Sequence, residues 1–197
     1  MMQSNVKIAI TGGICSGKST VAKIIKEQGY SVVSCDEVYH GLLNDKSYVN
    51  SIAKEFGNVK NDDGTLNREK LAEIVFNDKN KLQVLNSVTH PQIINRAMQF
   101  MRGYGIFFCE VPLLFEEGYE VLFDNVIVVL RNKEERICEL MQRTKINRNQ
   151  ALLRINSQFD YENHSFVKYY VTHNDCNLIN LRSKVLAVLD RIKKDYK

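Results

Sequence analysis

The sequence predicts an α/β protein in which a parallel five-stranded sheet carries helices on both faces. The first observation is that short apolar runs alternate with helical stretches, which is typical of a covered parallel sheet. The runs are residues 6–10, 31–35, 105–111, 124–130 and 168–173. The second is that three of them are almost continuously apolar, as doubly buried strands are. The third is that glycine, proline or polar residues follow each run. Ligands bind at these carboxyl ends of the strands in such sheets.

Length, composition and charge describe an ordinary globular chain. Its 197 residues suit one large domain, spanning 1–197, and contents of 44% hydrophobic and 25% charged residues are typical of soluble proteins. The net charge of +4 suits anionic small molecules and does not require nucleic acid. No apolar stretch of about 18 residues or signal-peptide pattern occurs, so we expect a cytoplasmic protein without a membrane span.

The five cysteines are odd in number, and no two are separated by two residues. This pattern argues against a disulfide framework or a zinc site and favours reduced thiols.

The first predicted strand leads into a glycine-rich loop that matches the pattern G-x-x-x-x-G-K-[ST] over Gly12–Ser19. A helical pattern over Thr20–Glu27 follows. A strand, a glycine loop and a helix N-terminus together present backbone N–H groups and a positive dipole end to a polyphosphate. Lys18 is predicted to reach the β- and γ-phosphates of ATP, and the Ser19 hydroxyl to hold Mg²⁺. The predicted ATP-binding residues of this segment are Gly13, Ile14, Cys15, Ser16, Gly17, Lys18, Ser19 and Thr20.

The second strand ends at Asp36, which we predict to accept the proton of a substrate hydroxyl. The alternative is that this aspartate caps the next helix. Residues 37–104 then form a mostly helical excursion between the second and third strands. The last segment has a helical apolar face made of Leu178, Leu181, Val185, Val188, Leu189 and Ile192.

A second excursion, residues 131–167, is rich in basic side chains. Within 131–154, seven cationic and three anionic side chains leave a net charge of +4. We predict a cationic lid that closes over a nucleotide and shields it from water. The simpler interpretation is a solvated helix face.

Classes of phosphate-loop protein differ in the motifs that accompany the loop. A guanine-nucleotide switch needs Asn-Lys-x-Asp, but Asn132-Lys133-Glu134-Glu135 has Glu at the specificity position. A motor-type or DNA-handling ATPase needs an acid after a run of apolar residues, but Val126–Leu130 is followed by Arg131. A small-molecule kinase fits better, because it combines a phosphate loop, lid arginines and an acid for the substrate hydroxyl.

Taken together, the motifs resemble one family of P-loop kinases, the dephospho-coenzyme A kinases, along nearly the whole chain. Residues 10–20 resemble its loop T-G-G-I-G-S-G-K-S-T, and Asp36 matches the second acid of its D-x-D. Further matching segments are Asp63–Arg68 (D-G-x-L-x-R), His90-Pro91, Glu110–Glu116 (V-P-L-L-[FV]-E), Gln142-Arg143 and Arg154–Gln158.

This resemblance implies phosphorylation of the ribose 3′-hydroxyl of dephospho-coenzyme A by ATP, the last step of coenzyme A biosynthesis. Asp36 would orient or deprotonate the hydroxyl, while Lys18 and Arg143 steady the phosphoryl group. The resemblance also implies that Arg143 and Asn174 bind ATP, and that residues 37–104 form the wall of the acceptor site. The implied acceptor-binding residues are Asp36, Arg68, His90, Pro112, Leu113, Phe115 and Glu116.

Alternative roles stay open for several of these residues. Arg68 suits a surface ion pair, His90 a core position before a turn at Pro91, and 112–115 core packing. The rival functions are another nucleoside or nucleotide kinase and a nucleotide-binding regulator. We expect ATP, Mg²⁺ and dephospho-coenzyme A as ligands, no nucleic acid or membrane partner, and a monomer.

The chain departs from the family pattern at four positions. Ser34 replaces the first acid of D-x-D, and Cys15 stands where the loop usually has glycine. A side chain at Cys15 is tolerable in the loop only if its backbone avoids positive φ. Tyr169 and Cys176 replace an acidic residue and a glycine near the predicted adenine pocket around Asn174.

Overall fold

The structure, a computed structural model, describes residues 4–76 and 78–196. Its strands are β1 (Asn5–Thr11), β2 (Ser31–Ser34), β3 (Gly105–Glu110), β4 (Asn125–Leu130) and β5 (Tyr170–His173). Its α-helices are α1 (Lys18–Glu27), α2 (Cys35–Leu42), α3 (Lys46–Phe56), α4 (Arg68–Phe76), α5 (Lys79–Phe100), α6 (Lys133–Thr144), α7 (Arg148–Asn156) and α8 (Leu178–Asp195). A 3-10 helix covers Tyr119–Leu122.

The strands form a five-stranded sheet in the order β2-β3-β1-β4-β5. The pairs β1–β3, β1–β4 and β4–β5 are parallel, so β1 lies at the centre. In this register Ile10 lies opposite Glu110 on one side and Ile127 on the other. The predicted parallel sheet with helices on both faces is confirmed. The carboxyl ends of β1, β3 and β4 therefore lie side by side.

Apolar side chains of the central strands pack with α1 and α8 in one hydrophobic cluster. Ile8, Ile10 and Ile25 are fully buried in it, which anchors the base of the glycine loop between strand and helix. The predicted apolar face of α8 is buried from Leu181 to Ile192. Leu178 was wrongly included in that face, because it begins the helix and is 63% exposed.

The chain divides into two compact units. One comprises the chain up to Val33 and from Met101 onward, and the other is Ser34–Phe100. The Ser34–Phe100 unit contains α2 to α5 around its own cluster, in which Tyr48 is fully buried and shares a 3.0 Å hydrogen bond with Thr89. Pro91 lies inside α5, so the expected turn at this proline is absent from the structure.

Helices α6 and α7 form the predicted helical part of 131–167. They share a small apolar cluster built on Ile137, Leu140, Ala151 and Ile155. A capping box starts α7, in which the Asn147 side chain and the N3 residue Gln150 each accept from the other's backbone N–H. The second helix of this region thus begins at a defined residue.

Candidate active site

The glycine loop joins the end of β1 to the first turn of α1. Gly17 is the N-cap of α1 in the left-handed conformation, at φ 98°, and no side chain caps the helix. The first turn of an α-helix has N–H groups without intrahelical partners. Because no acidic residue lies in this turn either, its donors and its dipole suit an anion such as a phosphate.

Three side chains from the β4 and β5 ends of the sheet hold the loop carbonyls. The bonds are Arg136 Nε to Ile14 O, Arg131 Nη1 to Cys15 O and Asn174 Nδ2 to Ser16 O, each 3.0 Å long. A carbonyl fixed on one side of a peptide plane turns the N–H group of that plane to the opposite side. The loop is therefore held from behind in a conformation that suits phosphate binding. Asn174, predicted near the adenine, lies against the loop itself.

Lys18 lies over the first half of the loop. Its ammonium donates to the carbonyl of Gly12 at 2.8 Å and to that of Gly13 at 3.0 Å. A lysine at this position reaches the β- and γ-phosphates in phosphate-loop proteins. The Gly12–Gly13 stretch is therefore the part of the loop next to which the terminal phosphates would lie.

Ser19 meets a carboxylate that sequence reasoning did not assign. Its hydroxyl donates to Glu110 Oε1 at 2.7 Å, and Glu110 is only 7% exposed at the end of β3. An acid is absent after the apolar run of β4, but the apolar run Ile106–Cys109 in β3 immediately precedes Glu110. The signal was present, but only the adjacency of β3 to β1 shows its relevance.

The condition set for Cys15, a backbone that avoids positive φ, is not met. Cys15 lies in the left-handed region at φ 59°, and Cys176 does the same at φ 63°. The Cys15 side chain packs against the apolar cluster shared by α6 and α7, and this burial raises the pKa of its thiol. The chain thus keeps a conformation that favours glycine, and places a neutral thiol against the lid region.

Three loop glycines have no space for a side chain, and one of them, Gly12, would place a Cβ 2.3 Å from the carbonyl oxygen of Val129. A Cβ on Gly13 would lie 2.3 Å from Arg136 Nη2, and one on Gly17 would lie 2.4 Å from Asn174 Nδ2. The surrounding polar side chains therefore require glycine at both positions. Contact with Arg136 explains this requirement at Gly13, where φ is not positive.

The basic residues of the predicted lid are mostly paired with acids. Arg131 contacts Glu135 and Glu139, Lys133 and Arg136 contact Glu162, and Arg148 contacts Glu134. Arg143 is exposed in the last turn of α6. Its charge lowers the pKa of the Cys15 thiol, against the larger effect of burial, which raises it.

The Pro112–Glu116 turn contacts the segment that follows α7. The Phe115 ring lies 4.8 Å from that of Phe159, within an aromatic cluster that includes Tyr161, Phe166 and Tyr169. Glu116 Oε1 accepts from the Phe159 N–H at 3.0 Å. Leu113 is 37% exposed and Pro112 is half-buried. Phe115 and Glu116 therefore have a packing role whether or not they also contact an acceptor.

Asp36, Arg68 and His90 belong to the Ser34–Phe100 unit. Ser34 is the N-cap of α2, and its hydroxyl accepts from the Glu37 N–H at 3.4 Å. The capping alternative for Asp36 is therefore wrong, because Ser34 has that role and Asp36 is exposed in the first turn. Arg68 is exposed at the start of α4, and His90 is half-buried in α5.

A comparison with protein families decides which phosphate-loop protein this is. The dephospho-CoA kinase family model matches residues 6–180. The chain belongs to the dephospho-CoA kinase family. A dephospho-CoA kinase of Fusobacterium nucleatum is 37% identical over 181 residues, covering 90% of this chain and 94% of the relative. One from Carboxydothermus hydrogenoformans is 34% identical, covering 96% of each chain.

Solved structures show the same relationship. A protein from Thermus thermophilus superimposes with a TM-score of 0.77 at 31% identity, covering 94% of this chain and 97% of its own. A Campylobacter jejuni dephospho-CoA kinase gives a TM-score of 0.66 at 28% identity, covering 94% and 96%. The enzyme class predicted from the motifs, a kinase of this family, is confirmed.

The Ser19–Glu110 pair suits a magnesium ion. Hydroxyl and carboxylate oxygens are ligands that Mg²⁺ prefers, and Mg²⁺ usually takes one or two protein groups together with phosphates and waters. Within residues 4–76 and 78–196 no group of three or more His, Cys, Asp or Glu side chains could hold a metal ion. The same part of the chain contains no helix long and apolar enough to cross a membrane.

Proposed function

We propose that this chain transfers the γ-phosphoryl group of ATP to the ribose 3′-hydroxyl of dephospho-CoA, giving CoA and ADP. Membership of the dephospho-CoA kinase family supports the reaction and its place as the final step of CoA biosynthesis. The observation that carries the proposal is the glycine loop, whose carbonyls are held by Arg136, Arg131 and Asn174. Its N–H donors suit a triphosphate.

In this reaction Lys18 would leave the carbonyls of Gly12 and Gly13 and bind the β- and γ-phosphates. Arg143 would approach the transferring phosphoryl group from the end of α6. Positive charge near the equatorial oxygens stabilises the charge that develops there during phosphoryl transfer. The place of Arg143 in the last turn of α6, together with the influence of its charge on the Cys15 thiol of the loop, supports this role.

Asp36 would accept the hydrogen bond of the acceptor hydroxyl and take its proton as phosphoryl transfer proceeds. Its exposure in α2, with the cap supplied by Ser34, leaves the carboxylate available for that role. We further propose that residues 37–104 form the wall of the acceptor site. The other acceptor-binding residues that we propose are Arg68, His90, Pro112, Leu113, Phe115 and Glu116.

Mg²⁺ would be held by Ser19, with Glu110 as the neighbouring carboxylate. The ion, when bound, would neutralise negative charge on the phosphates. Ser34 has no carboxylate, so the D-x-D position contributes a single acid, Asp36. We further propose that the protein acts in the cytoplasm as a monomer, without nucleic-acid or membrane partners.

The test measures Mg²⁺-dependent ADP release from ATP with dephospho-CoA, adenosine or AMP as separate acceptors. We expect release with dephospho-CoA alone and CoA as its product, and Lys18→Ala should abolish it without loss of fold by circular dichroism. Release with adenosine or AMP would make the chain another nucleoside or nucleotide kinase. ATP binding without acceptor-dependent release would favour a regulator.

A further inference from the structure

Arg136 is a charged side chain buried directly behind the glycine loop. It lies in the first turn of α6 and is 4% exposed, although the sequence pattern suggested a solvated or lid-facing cation. Burial lowers the pKa of its guanidinium, but an arginine keeps its charge at any physiological pH. A buried charge is expensive to maintain unless it has a strong partner.

The partner that the structure provides is weak. Arg136 Nη1 lies 3.4 Å from Glu162 Oε1, and the Glu162 side chain is 40% exposed. Glu162 is also shared, because its Oε2 lies 3.3 Å from Lys133 Nζ. A solvent-exposed carboxylate that serves two cations neutralises each of them only in part. The guanidinium therefore leaves positive charge next to the loop.

The position of that charge is defined by the loop backbone. Arg136 Nε donates to the carbonyl of Ile14 at 3.0 Å, and Nη2 fills the space that a Cβ on Gly13 would occupy, 2.3 Å from its position. The N–H group of Ile14 is held in turn by Gln158 Oε1 at 2.6 Å. Both peptide groups of Ile14 are thus fixed, and the charge cannot move away from this half of the loop.

This half of the loop is also where the Lys18 ammonium lies, against Gly12 and Gly13. Because the phosphate-loop lysine reaches the β- and γ-phosphates, Arg136 lies behind the part of the loop nearest the γ-phosphate. A fixed charge acts most strongly on the nearest phosphate, and its effect decreases with distance.

We propose that Arg136 is a positioning residue that makes the loop prefer ATP to ADP, by fixing the Ile14 peptide and placing a positive charge behind the γ-phosphate end. This inference rests on the proposed function to the extent that the loop binds ATP. ADP lacks the γ-phosphate and gains little from the charge, so the two nucleotides respond differently when it is removed.

The experiment measures, by calorimetry, the Kd of a non-hydrolysable ATP analogue and of ADP, each with Mg²⁺. In Arg136→Met and Arg136→Gln we expect the Kd of the ATP analogue to rise about tenfold and that of ADP less than about twofold. Arg136→Lys, which keeps the charge, should stay within about threefold of the wild type for both.

The matched control is Arg148→Met, which removes the same charge from an exposed arginine of α7 that pairs with Glu134. It should change neither Kd. Arg136→Gln keeps an amide donor for the Ile14 carbonyl, so it tests the charge even if Arg136→Met does not fold.

Equal losses for the two nucleotides would reduce Arg136 to a structural residue and overturn the inference. Wild-type preference in Arg136→Gln, or the same ATP-specific loss in Arg148→Met, would overturn it as well. If the wild-type chain binds both nucleotides and the Arg136 variants match it, this inference fails alone. If the wild type binds neither nucleotide, the proposed function fails too.

Discussion

Two cysteines adopt backbone conformations that favour glycine. Cys15 and Cys176 have φ values of 59° and 63°, at positions where the family pattern has glycine. The left-handed region costs an L-residue about 1–2 kcal/mol. The chain tolerates this strain because both residues gain contacts: Cys15 packs on the lid cluster, and Cys176 Sγ accepts from Arg131 Nη2 at 3.0 Å.

The backbone strain at Cys15 leads to a prediction about the stability of Cys15 variants. Cys15→Val should lower the free energy of unfolding by about 1–2 kcal/mol, because β-branched residues are outliers at positive φ. Cys15→Gly should stay within about 1 kcal/mol of the wild type, because relief of strain offsets the added freedom of the unfolded chain. Urea unfolding measures both variants. A valine variant as stable as the wild type would contradict the left-handed conformation.

Helix α3 depends on a charged cap. Asp45 Oδ1 accepts from the Ser47 N–H at 2.8 Å, the Ser47 hydroxyl at 2.6 Å and the Tyr48 N–H at 3.4 Å. These hydrogen bonds, those from Ser47 above all, lower the pKa of the Asp45 carboxyl below its ordinary value of 3.8. Because the folded-state pKa is lowered, the stabilisation is fully present above the ordinary pKa of 3.8 and is lost as pH falls through the folded-state pKa.

We therefore expect Asp45→Asn to alter the acid dependence of stability. Asparagine caps as well as aspartate but does not titrate. Thermal unfolding from pH 6 down to about pH 3 should show the wild type losing stability relative to Asp45→Asn as the Asp45 carboxyl protonates. Asp62→Asn, at an exposed aspartate outside any helix, is the control. Parallel pH profiles for the wild type and Asp45→Asn would refute the role of the charge.

The end of α6 carries the lid arginine. Arg143→Ala should lower kcat more than it weakens ATP binding, because its guanidinium should act on charge that develops in the transition state. Steady-state kinetics and ATP titration separate the two effects. Arg148→Ala, at an exposed ion pair of α7, should leave both unchanged. The opposite pattern for Arg143→Ala, weaker binding with normal kcat, would make it a binding residue.

At the scale of the whole molecule, the sheet order creates the site from distant segments. Ser19 and Glu110 are 91 residues apart, yet they form a hydrogen bond because β3 and β1 are neighbours. Arg136 reaches the Ile14 carbonyl over 122 residues because α6 follows β4 on the other side of β1. The central strand thus has a functional contact on each side.

Because Asp36 and the glycine loop belong to different compact units, their contributions to turnover and to ATP binding can be measured separately. Asp36 belongs to Ser34–Phe100, whereas the glycine loop belongs to the other unit. We expect Asp36→Asn to lower turnover by about 100-fold or more, the scale of a positioned base, while ATP binding is retained. Glu37→Gln, its exposed neighbour in α2, should keep normal turnover. Lost ATP binding with normal turnover of the remaining complex would assign Asp36 a structural role.

Much of the fold was predictable from local patterns. The strands, the first helix and the glycine loop follow from apolar periodicity and from a motif whose residues are neighbours in the chain. The errors have a common cause. Leu178 fits the apolar period of α8 but lies in its first turn, and Pro91 suggests a turn although α5 continues through it. A local sequence pattern gives the residue types and their spacing along the chain, but not the surface against which a helix packs.

The class of fold, the phosphate-binding loop and the family follow from the sequence alone, because they depend on short motifs and on their order along the chain. Which residues act on the loop depends instead on tertiary contacts. The partnership of Glu110 with Ser19, the burial of Arg136 behind Gly13 and the left-handed backbone of Cys15 all depend on which segments the sheet brings together. Such contacts join residues far apart in sequence, and no local pattern specifies them.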